Sequence, residues 1–296
     1  WQGPAAVICD PTLMLLAPRA RLAGLALDRP RIMGIVNVTP DSFSDGGNLP
    51  TADAAVAHGL RLVEEGADIL DIGGESTRPG SDAVSSAEEM RRIIPVVAGI
   101  RARSDVRISI DTRKADVMRE AVSAGADIIN DVAALMYDPD ALETAAELAV
   151  PVVLMHAQGD PKTMQDAPHY DDVLIDVFDF LEARIEACLR AGIPRERIVV
   201  DPGIGFGKTL AHNLALMSGL TLFHTLGVPQ LVGASRKRFI GTLTGVADAS
   251  RRVSGSIAAA LHAVAQGTQI VRVHDVAATR EALSVLMAST SGSPAD

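Results

Sequence analysis

The segment Arg272-Val273-His274 carries the clearest local chemical signal in the sequence. In an extended strand, residues two apart point to the same side, so Arg272 and His274 would project together. A guanidinium fork beside an imidazole suits the binding of phosphate oxygens. The alternative is a surface ion pair next to a core histidine. The position of the segment at the end of the last apolar run favours an anion site.

Two aspartates and an asparagine, Asp111, Asn130 and Asp201, stand at the ends of three other apolar runs. A carboxylate inside an apolar site is costly unless it finds hydrogen-bond donors. A flat heterocycle with an amino group beside a ring N–H offers such donors, and Lys237 could offset part of the negative charge. Each aspartate alone fits a helix cap or a structural ion pair equally well. The combination favours a binding pocket.

The basic run Ser235-Arg236-Lys237-Arg238 has two interpretations. Alone it is a solvated turn or a weak nucleic-acid patch. In a barrel, Ser235 and Arg236 could hold a small carboxylate while Lys237 turns inward.

The glycine-rich segment from Pro202 to Thr209 resembles a nucleotide-binding loop without matching one. A P-loop requires glycine where Pro202 stands, and a GxGxxG fingerprint requires glycine where Lys208 stands. We expect these glycines to let the backbone approach a flat ring closely, with Phe206 as a wall. The sequence also lacks an HExxH motif, a GxSxG elbow and a Cys/His zinc cluster.

Eight apolar β-type runs, each followed by a helical stretch, must position these residues. The predicted strands are residues 32–37, 69–73, 106–111, 128–131, 152–155, 198–201, 231–233 and 270–274. Eight regular units without a linker predict a single (β/α)₈ TIM barrel, whose strands end at one face. A doubly wound open sheet is the alternative, disfavoured because the dinucleotide fingerprint is absent. Ser86 and Glu89 predict a capping box at the start of one helix.

We predict three regions along the chain. Residues 1–30 form an N-terminal extension that could cap the barrel floor, residues 31–288 form the barrel, and residues 289–296 form a flexible tail. Two long loops at the presumed catalytic face, residues 38–50 and 75–85, are rich in Gly, Ser, Pro and Asp. They exceed the usual length of such loops, and we expect them to act as lids over substrates rather than as plain surface.

Composition narrows the class of protein. The 296 residues are 48% hydrophobic with a formal net charge of −10, which argues against general nucleic-acid or membrane-surface binding. No stretch approaches the roughly 18–20 apolar residues of a membrane span. Cys9 and Cys188 are isolated, which is typical of reduced thiols in a cytoplasmic protein.

Several long motifs, in one order and spacing, resemble those of a known family. The motifs are Met33-Gly34-Ile35-Val36-Asn37-Val38-Thr39-Pro40-Asp41-Ser42-Phe43-Ser44-Asp45-Gly46-Gly47, Asp71-Ile72-Gly73-Gly74-Glu75-Ser76-Thr77-Arg78-Pro79-Gly80, Asp201-Pro202-Gly203-Ile204-Gly205-Phe206-Gly207-Lys208, Ser235-Arg236-Lys237 and Arg272-Val273-His274. Together they resemble the dihydropteroate synthases, pterin-binding enzymes of folate biosynthesis. The resemblance covers about residue 31 to about residue 286.

The resemblance implies transfer of a dihydropterin-methyl group from 6-hydroxymethyl-7,8-dihydropterin diphosphate to para-aminobenzoate, with release of diphosphate. The implied pterin contacts are Asp111, Asn130, Asp201, Lys237, Met155 and Phe206. The implied diphosphate contacts are Thr77, Arg78, Arg272 and His274, and the implied para-aminobenzoate contacts are Ser235, Arg236, Phe43 and Pro79. Asn37 would help to hold Mg²⁺. The residues expected to drive catalysis are Arg272, His274, Lys237 and Arg78.

The resemblance also implies a homodimer through late helices, with residues 254–265 small enough to pack closely. No inserted residues precede Ser235, so sulfonamide sensitivity is expected. Two alternatives remain: a barrel methyltransferase that passes a methyl group from methyltetrahydrofolate to a corrinoid protein, and a pterin-binding paralogue without turnover.

Overall fold

The barrel strands are short, almost uninterrupted apolar runs that the computed structural model places side by side in parallel. The structure describes residues 21–39, 52–76, 83–159, 164 and 167–292. Two short strands, β1 (Arg21–Leu22) and β2 (Leu25–Ala26), form an antiparallel hairpin. The barrel strands are β3 (Arg31–Asn37), β4 (Ile69–Gly73), β5 (Arg107–Asp111), β6 (Ile128–Asp131), β7 (Val152–Met155), β8 (Ile198–Asp201), β9 (Leu231–Val232) and β10 (Ile270–Val273).

The strands form one sheet in the order β8-β7-β6-β5-β4-β3-β10-β9. A parallel bridge between Val200 and Gln230 joins its two edges. The predicted (β/α)₈ barrel is therefore confirmed, and every predicted strand boundary lies within one residue of the observed one. The runs could be recognised because parallel strands buried on both faces need apolar side chains at nearly every position.

Helices lie between the strands and cover the outside of the sheet. They are α1 (Ala52–Glu65), α2 (Ser86–Arg101), α3 (Ala115–Ser123), α4 (Ala141–Leu148), α5 (Val173–Arg190), α6 (Leu210–Ser218), α7 (Arg238–Thr244), α8 (Val253–Ala265) and α9 (Val276–Ser291). Short 3₁₀ segments cover Arg195–Arg197, Leu220–Leu226 and Ala249–Arg251. None of the helices in the described ranges combines the length and apolarity needed to cross a membrane.

The predicted capping box at the start of α2 is wrong by one residue. Ser85 is the N-cap, and its hydroxyl accepts a hydrogen bond of 3.2 Å from the backbone N–H of Glu88. Glu89 instead points inward, is fully buried, and pairs with the ammonium of Lys114. Ser86 and Glu89 have the spacing of a capping box, but the Glu89 carboxylate forms a buried ion pair with Lys114 instead of capping the helix.

The hairpin closes the floor of the barrel. Leu22 is buried against apolar side chains from the early part of the strands, which are Met33, Ile69, Ile128, Val153, Val199, Leu231 and Ile270. Residues 1–20 of the predicted N-terminal extension lie outside the described residues, so the extent of that extension stays a prediction. At the other end of the chain, α9 continues to Ser291, three residues past the predicted barrel boundary at 288.

The structure describes one of the two cysteines and only part of the two predicted lid loops. Cys188 is buried and unpaired, and burial raises the pKa of its thiol to about 11; Cys9 lies outside the described residues. Much of both predicted lid loops lies outside them too, so the lids stay a prediction. The same holds for the sites assigned to Phe43, Thr77, Arg78 and Pro79.

Candidate active site

The polar residues selected from the sequence gather at the carboxyl ends of the barrel strands. Asn37, Asp111, Met155 and Asp201 are the last residues of β3, β5, β7 and β8, and Asn130 is the third residue of β6. Ser235, Arg236 and Lys237 follow β9, Arg272 lies within β10, and His274 follows it. Because parallel strands of a barrel end at one face, residues from most of the chain share one mouth.

Arg272 is the centre of a hydrogen-bonded network inside this mouth. Its Nε donates to Oδ2 of Asp71 at 2.6 Å, and its Nη2 donates to Oδ2 of Asp111 at 2.9 Å. The side-chain amide of Asn130 donates to the same Oδ2 of Asp71 at 3.1 Å. Burial works to lower the pKa of Arg272, but Asp71 and Asp111 raise it more. The guanidinium is therefore charged at any physiological pH.

The carboxyl groups that face the pocket are electrostatically perturbed. Burial raises the pKa of Asp111 to about 7, with Arg272 opposing the shift. Burial also raises the pKa of Asp201, opposed by Lys237. Burial lowers the pKa of Lys237 to about 8, opposed by Asp201. Paired groups with shifts of this kind are typical of sites that bind polar ligands or move protons.

The glycines after β8 permit close contact with the chain after β7. Gly203, Gly205 and Gly207 have φ values of +70°, +86° and +60°. A Cβ on Gly203 would lie 1.8 Å from the carbonyl oxygen of His156, and a Cβ on Gly207 would lie 2.4 Å from that of Gln158. We predicted that these glycines admit a flat ring. At Gly203 and Gly207 they admit neighbouring backbone instead, and this contact sets the shape of the loop.

Lys208 connects the glycine-rich loop after β8 to His156, the residue that follows β7. Its ammonium lies 2.9 Å from Nδ1 of His156 and 2.9 Å from the carbonyl oxygen of Phe206, with the carbonyl of His156 at 3.3 Å. Three acceptors match the three protons of an ammonium group. Burial lowers the pKa of Lys208 to about 7, and burial together with Lys208 lowers that of His156 to about 3.

Phe206 and Lys237 form one wall of the pocket. The ammonium of Lys237 lies 4.4 Å from the centre of the Phe206 ring and donates to the carbonyl of Ile204. A cation over an aromatic face is stabilised by the ring quadrupole. The loop tied down by Lys208 therefore supports both residues of this wall.

Ser235, Arg236 and His274 do not act as three independent side chains. The Ser235 hydroxyl lies 3.0 Å from Nδ1 of His274 and accepts from its backbone N–H at 3.2 Å. Arg236 has a φ of +59°, and its guanidinium donates to both oxygens of Asp275, at 2.6 and 3.0 Å. Arg236 is thus already paired with a carboxylate, and its role toward para-aminobenzoate stays a prediction.

Asn37 offers a hard oxygen ligand of the type that Mg²⁺ prefers. It is half-buried at the end of β3, between β4 and β10. Within the described residues, no group of three or more His, Cys, Asp or Glu side chains could enclose a metal. One amide oxygen without an all-protein cage fits a Mg²⁺ that is bound largely by substrate phosphates and water.

Sequence reasoning assigned no role to Asp71, His156, Lys208 or Asp275, which the structure places in contact with site residues. Asp71 had a visible signal, because it is a charged residue inside the otherwise apolar run Ile69-Leu70-Asp71-Ile72. His156 directly follows the apolar run that ends at Met155, so its position also offered a signal, whereas Lys208 lies in a glycine-rich segment where nothing indicated its partner.

Comparison with known proteins agrees with this geometry. Residues 33–274 match the model of the family described as pterin binding enzyme. The chain is 51% identical over 272 residues to the dihydropteroate synthase of Escherichia coli (strain K12), covering 92% of this chain and 96% of the relative. The chain belongs to the dihydropteroate synthase family. This assignment confirms the resemblance seen in the motifs.

Solved structures of dihydropteroate synthases share the fold closely. The Xanthomonas albilineans dihydropteroate synthase with 4-aminobenzoic acid is 57% identical and superimposes with a TM-score of 0.87, covering 92% of this chain and 98% of the other. A Yersinia pestis dihydropteroate synthase in a sulfonamide drug complex is 50% identical with a TM-score of 0.86 over the same shares. These similarities support the synthase interpretation over the methyltransferase alternative.

Proposed function

We propose that this chain is a dihydropteroate synthase. In the reaction, the bond between the pterin methylene carbon and the diphosphate oxygen breaks, and its electron pair leaves with diphosphate. A bond forms between that carbon and the amine nitrogen of para-aminobenzoate, which loses one proton. The observation that carries the proposal is the 2.9 Å bond between Arg272 and Asp111. This bond joins the guanidinium of Arg272, which can stabilise the departing diphosphate, to the carboxylate of Asp111, which can accept hydrogen bonds from the pterin ring.

The pterin ring fits the pocket by hydrogen-bond complementarity. Asp111 and Asp201 are acceptors when ionised, and a reduced pterin carries its donors as an amino group and ring N–H groups. Lys237 supplies a donor for a ring nitrogen or carbonyl oxygen, while Phe206 and the buried Met155 supply apolar contact. An amino group beside a ring N–H can bind a carboxylate in two places at once, which fixes the orientation of the ring.

Departure of diphosphate requires stabilisation of negative charge. Arg272 lies within β10 and His274 directly follows that strand, two positions further on, so both can contribute to one anion site. Mg²⁺ held in part by Asn37 would neutralise diphosphate charge when bound. Positive charge can build on the methylene carbon because it is attached to an electron-rich ring, so the reaction needs no protein nucleophile. The protein contributes fixed charges aimed at the leaving group.

Para-aminobenzoate then approaches from the open side of the pocket. Ser235 and Arg236 are candidates for its carboxylate, and Thr77, Arg78, Phe43 and Pro79 are expected on the two neighbouring loops. A dihydropteroate synthase of Xanthomonas albilineans, 54% identical to this chain, was solved in complex with 7,8-dihydropteroate. That relative supports the same product here. Positioning the weakly basic amine against the methylene carbon supplies much of the rate enhancement.

The late helices are the proposed dimer interface. Leu214 on α6 and Leu243 on α7 are 41% and 56% exposed, beside the small residues Gly255 and Ala259 of α8. Apolar side chains that stand free beside a stripe of small residues suit close helix packing with a second copy. The isolated cysteines support the expected cytoplasmic location, which stays a prediction.

A diphosphate-release assay tests the proposed reaction. The purified protein is given Mg²⁺ and the pterin diphosphate, with and without para-aminobenzoate. We expect release that depends on para-aminobenzoate, with dihydropteroate identified by mass. Pterin binding without release would indicate a non-catalytic paralogue. Activity that requires methyltetrahydrofolate and a corrinoid protein would instead establish the methyltransferase.

A further inference from the structure

Asp71 lies beneath the mouth of the barrel, closed off from solvent by its neighbours. It is fully buried, and it stands two residues before Gly73, which pairs with Asp111 at the end of β5. Its direct partner on β5 is Ser109, which is also fully buried. Asp71 therefore sits one side-chain layer deeper than the residues that face the pocket.

One oxygen of Asp71 serves two side chains that do face the pocket. Its Oδ2 accepts from Nε of Arg272 at 2.6 Å and from Nδ2 of Asn130 at 3.1 Å. Its Oδ1 is buried without a hydrogen-bond partner among the described residues. A fully buried carboxylate is costly, so its position calls for a specific reason.

The bond to Asn130 fixes which end of the amide faces the ligand. A carboxylate can only accept, so the amide must turn its NH₂ group toward Asp71. The amide oxygen of Asn130 then points away from Asp71 and has no partner within the described parts of the chain. Without Asp71, the amide could rotate and present NH₂ to the pocket instead. Asp71 thus makes Asn130 an acceptor, like Asp111 and Asp201 beside it.

The bond to Arg272 fixes the guanidinium plane in the same way. Nε is held by Asp71 and Nη2 by Asp111, so two carboxylates clamp one edge of the fork. Nη1 has no hydrogen-bond partner within the described ranges. It remains available for an anion, which is the role proposed for Arg272.

We propose that Asp71 is a positioning residue that sets the polarity of the pterin pocket, turning the oxygen of Asn130 and Nη1 of Arg272 toward the substrate. The inference rests on the proposed function, because an acceptor at Asn130 is useful only if the bound pterin ring presents a hydrogen-bond donor to it. It extends that function to a residue that binds no substrate itself.

An amide–carboxylate exchange between positions 71 and 130 tests the proposal. Asp71→Asn leaves two amides facing each other, so Asn130 loses its fixed orientation. We expect pterin affinity to fall about 10- to 100-fold, by analogy with residues that orient metal ligands. Asn130→Asp alone places two carboxylates together and should also lose affinity. The double variant D71N/N130D restores one amide and one carboxylate, and again presents an oxygen to the pocket.

Affinity is measured by titration calorimetry with the pterin diphosphate, and folding by thermal unfolding of each variant. The expected result is that the double variant binds the pterin at least about five-fold more tightly than either single variant. If the loss of pterin affinity in the double variant equals the sum of the losses in the two single variants, the proposal is overturned. A carboxylate with a merely structural role would give no recovery of affinity. If Asp71→Asn fails to fold, recovery is judged against Asn130→Asp.

Glu89→Gln is the matched control. Glu89 is also fully buried and bonded to a cation, and among the described residues one of its oxygens has no hydrogen-bond partner; the structure shows no hydrogen bond or ion pair between Glu89 and a described pocket residue. Its charge still acts on Asp111, so affinities are compared at pH 8, where Asp111 is mostly ionised. We expect the pterin affinity of Glu89→Gln to stay within about two-fold of wild type. The wild type is assayed for dihydropteroate first. A wild type that forms no dihydropteroate would reject the proposed function. If the wild type is active and Asp71→Asn binds the pterin as tightly, only the role of Asp71 is rejected.

Discussion

A Cβ atom on Gly203 would lie 1.8 Å from the carbonyl oxygen of His156, far inside van der Waals contact. The two residues lie just beyond the ends of the neighbouring strands β7 and β8, and their contact holds the glycine-rich loop against the barrel. The loop carries Phe206 and lies beside Asp201, so the pocket depends on this contact. The absence of a side chain at position 203 is therefore a requirement of the site.

Gly203→Ala should destabilise the fold and weaken pterin binding together. Gly192 provides the matched control, because its φ is +91° and, apart from its chain neighbours, no described residue has a heavy atom within 4 Å of the Cβ position. We expect Gly192→Ala to cost about 1 kcal/mol from backbone strain alone. Gly203→Ala should cost about 3 kcal/mol or more, since backbone must also move. Denaturant unfolding measures both, and equal costs would contradict the importance of the contact.

Asp201→Asn should abolish measurable pterin binding while leaving the loop in place. Oδ1 of Asp201 accepts from the backbone N–H of Gly203 at 2.7 Å. The asparagine oxygen can keep that bond, whereas alanine would lose it. The amide, however, cannot accept two donors from the ring. Calorimetry with the pterin diphosphate checks this, and near-normal affinity would remove Asp201 from the binding site.

Pterin affinity should depend on pH in a predictable direction. Burial raises the pKa of Asp111 to about 7, so below pH 7 the group is protonated and a poorer acceptor. Raising the pH from 6 to 8 should therefore strengthen binding, about 5-fold, because the roughly 10-fold gain in ionised Asp111 is halved by the loss of the Lys237 proton from half of the molecules at pH 8. At higher pH, loss of the Lys237 proton, with a pKa of about 8, should weaken binding again.

The control for this pH profile is Asp111→Asn, measured by the same calorimetric titration. It should bind more weakly throughout and lose the acidic limb, while the basic limb due to Lys237 persists. An acidic limb that survives the substitution would assign the titration to another group.

The barrel and most of its mouth could be predicted because local pattern decides them. Fully buried parallel strands need uninterrupted apolar runs, and each run ends where polar residues begin. The registers that bring Asp111, Asn130 and Asp201 together follow from barrel closure, which places all strand ends at one face. No partner had to be identified to make those predictions.

The unpredicted features all depend on a specific partner far away in the chain. Asp71 meets Arg272 across 201 positions, and Lys208 meets His156 across 52. Glu89 fits a capping pattern by spacing, yet it pairs with Lys114 in the interior. A charge inside an apolar strand marks Asp71 as unusual, but only the folded barrel shows which groups it orients.

A sulfonamide should inhibit the enzyme by competing with para-aminobenzoate. Both are aromatic amines with a polar acidic group opposite the amine, and the sequence carries no inserted residues ahead of Ser235-Arg236-Lys237. A related Yersinia pestis dihydropteroate synthase was solved with a sulfonamide drug complex. In a turnover assay, raising para-aminobenzoate should relieve the inhibition. No inhibition, or inhibition that para-aminobenzoate fails to relieve, would reject the shared site.

Arg272→Ala should reduce turnover by roughly 10²-fold or more, because stabilisation of the departing diphosphate is lost. The change also leaves Asp71 and Asp111 facing each other without their shared cation, so folding must be measured in parallel. Arg272→Lys separates the two effects. A lysine ammonium keeps a positive charge near both carboxylates but lacks the planar fork that bonds Asp71 and Asp111 along one edge and directs Nη1 away from them. We expect the lysine variant to be more stable than the alanine variant yet still impaired in diphosphate release. An unchanged rate in either variant would remove Arg272 from the catalytic residues.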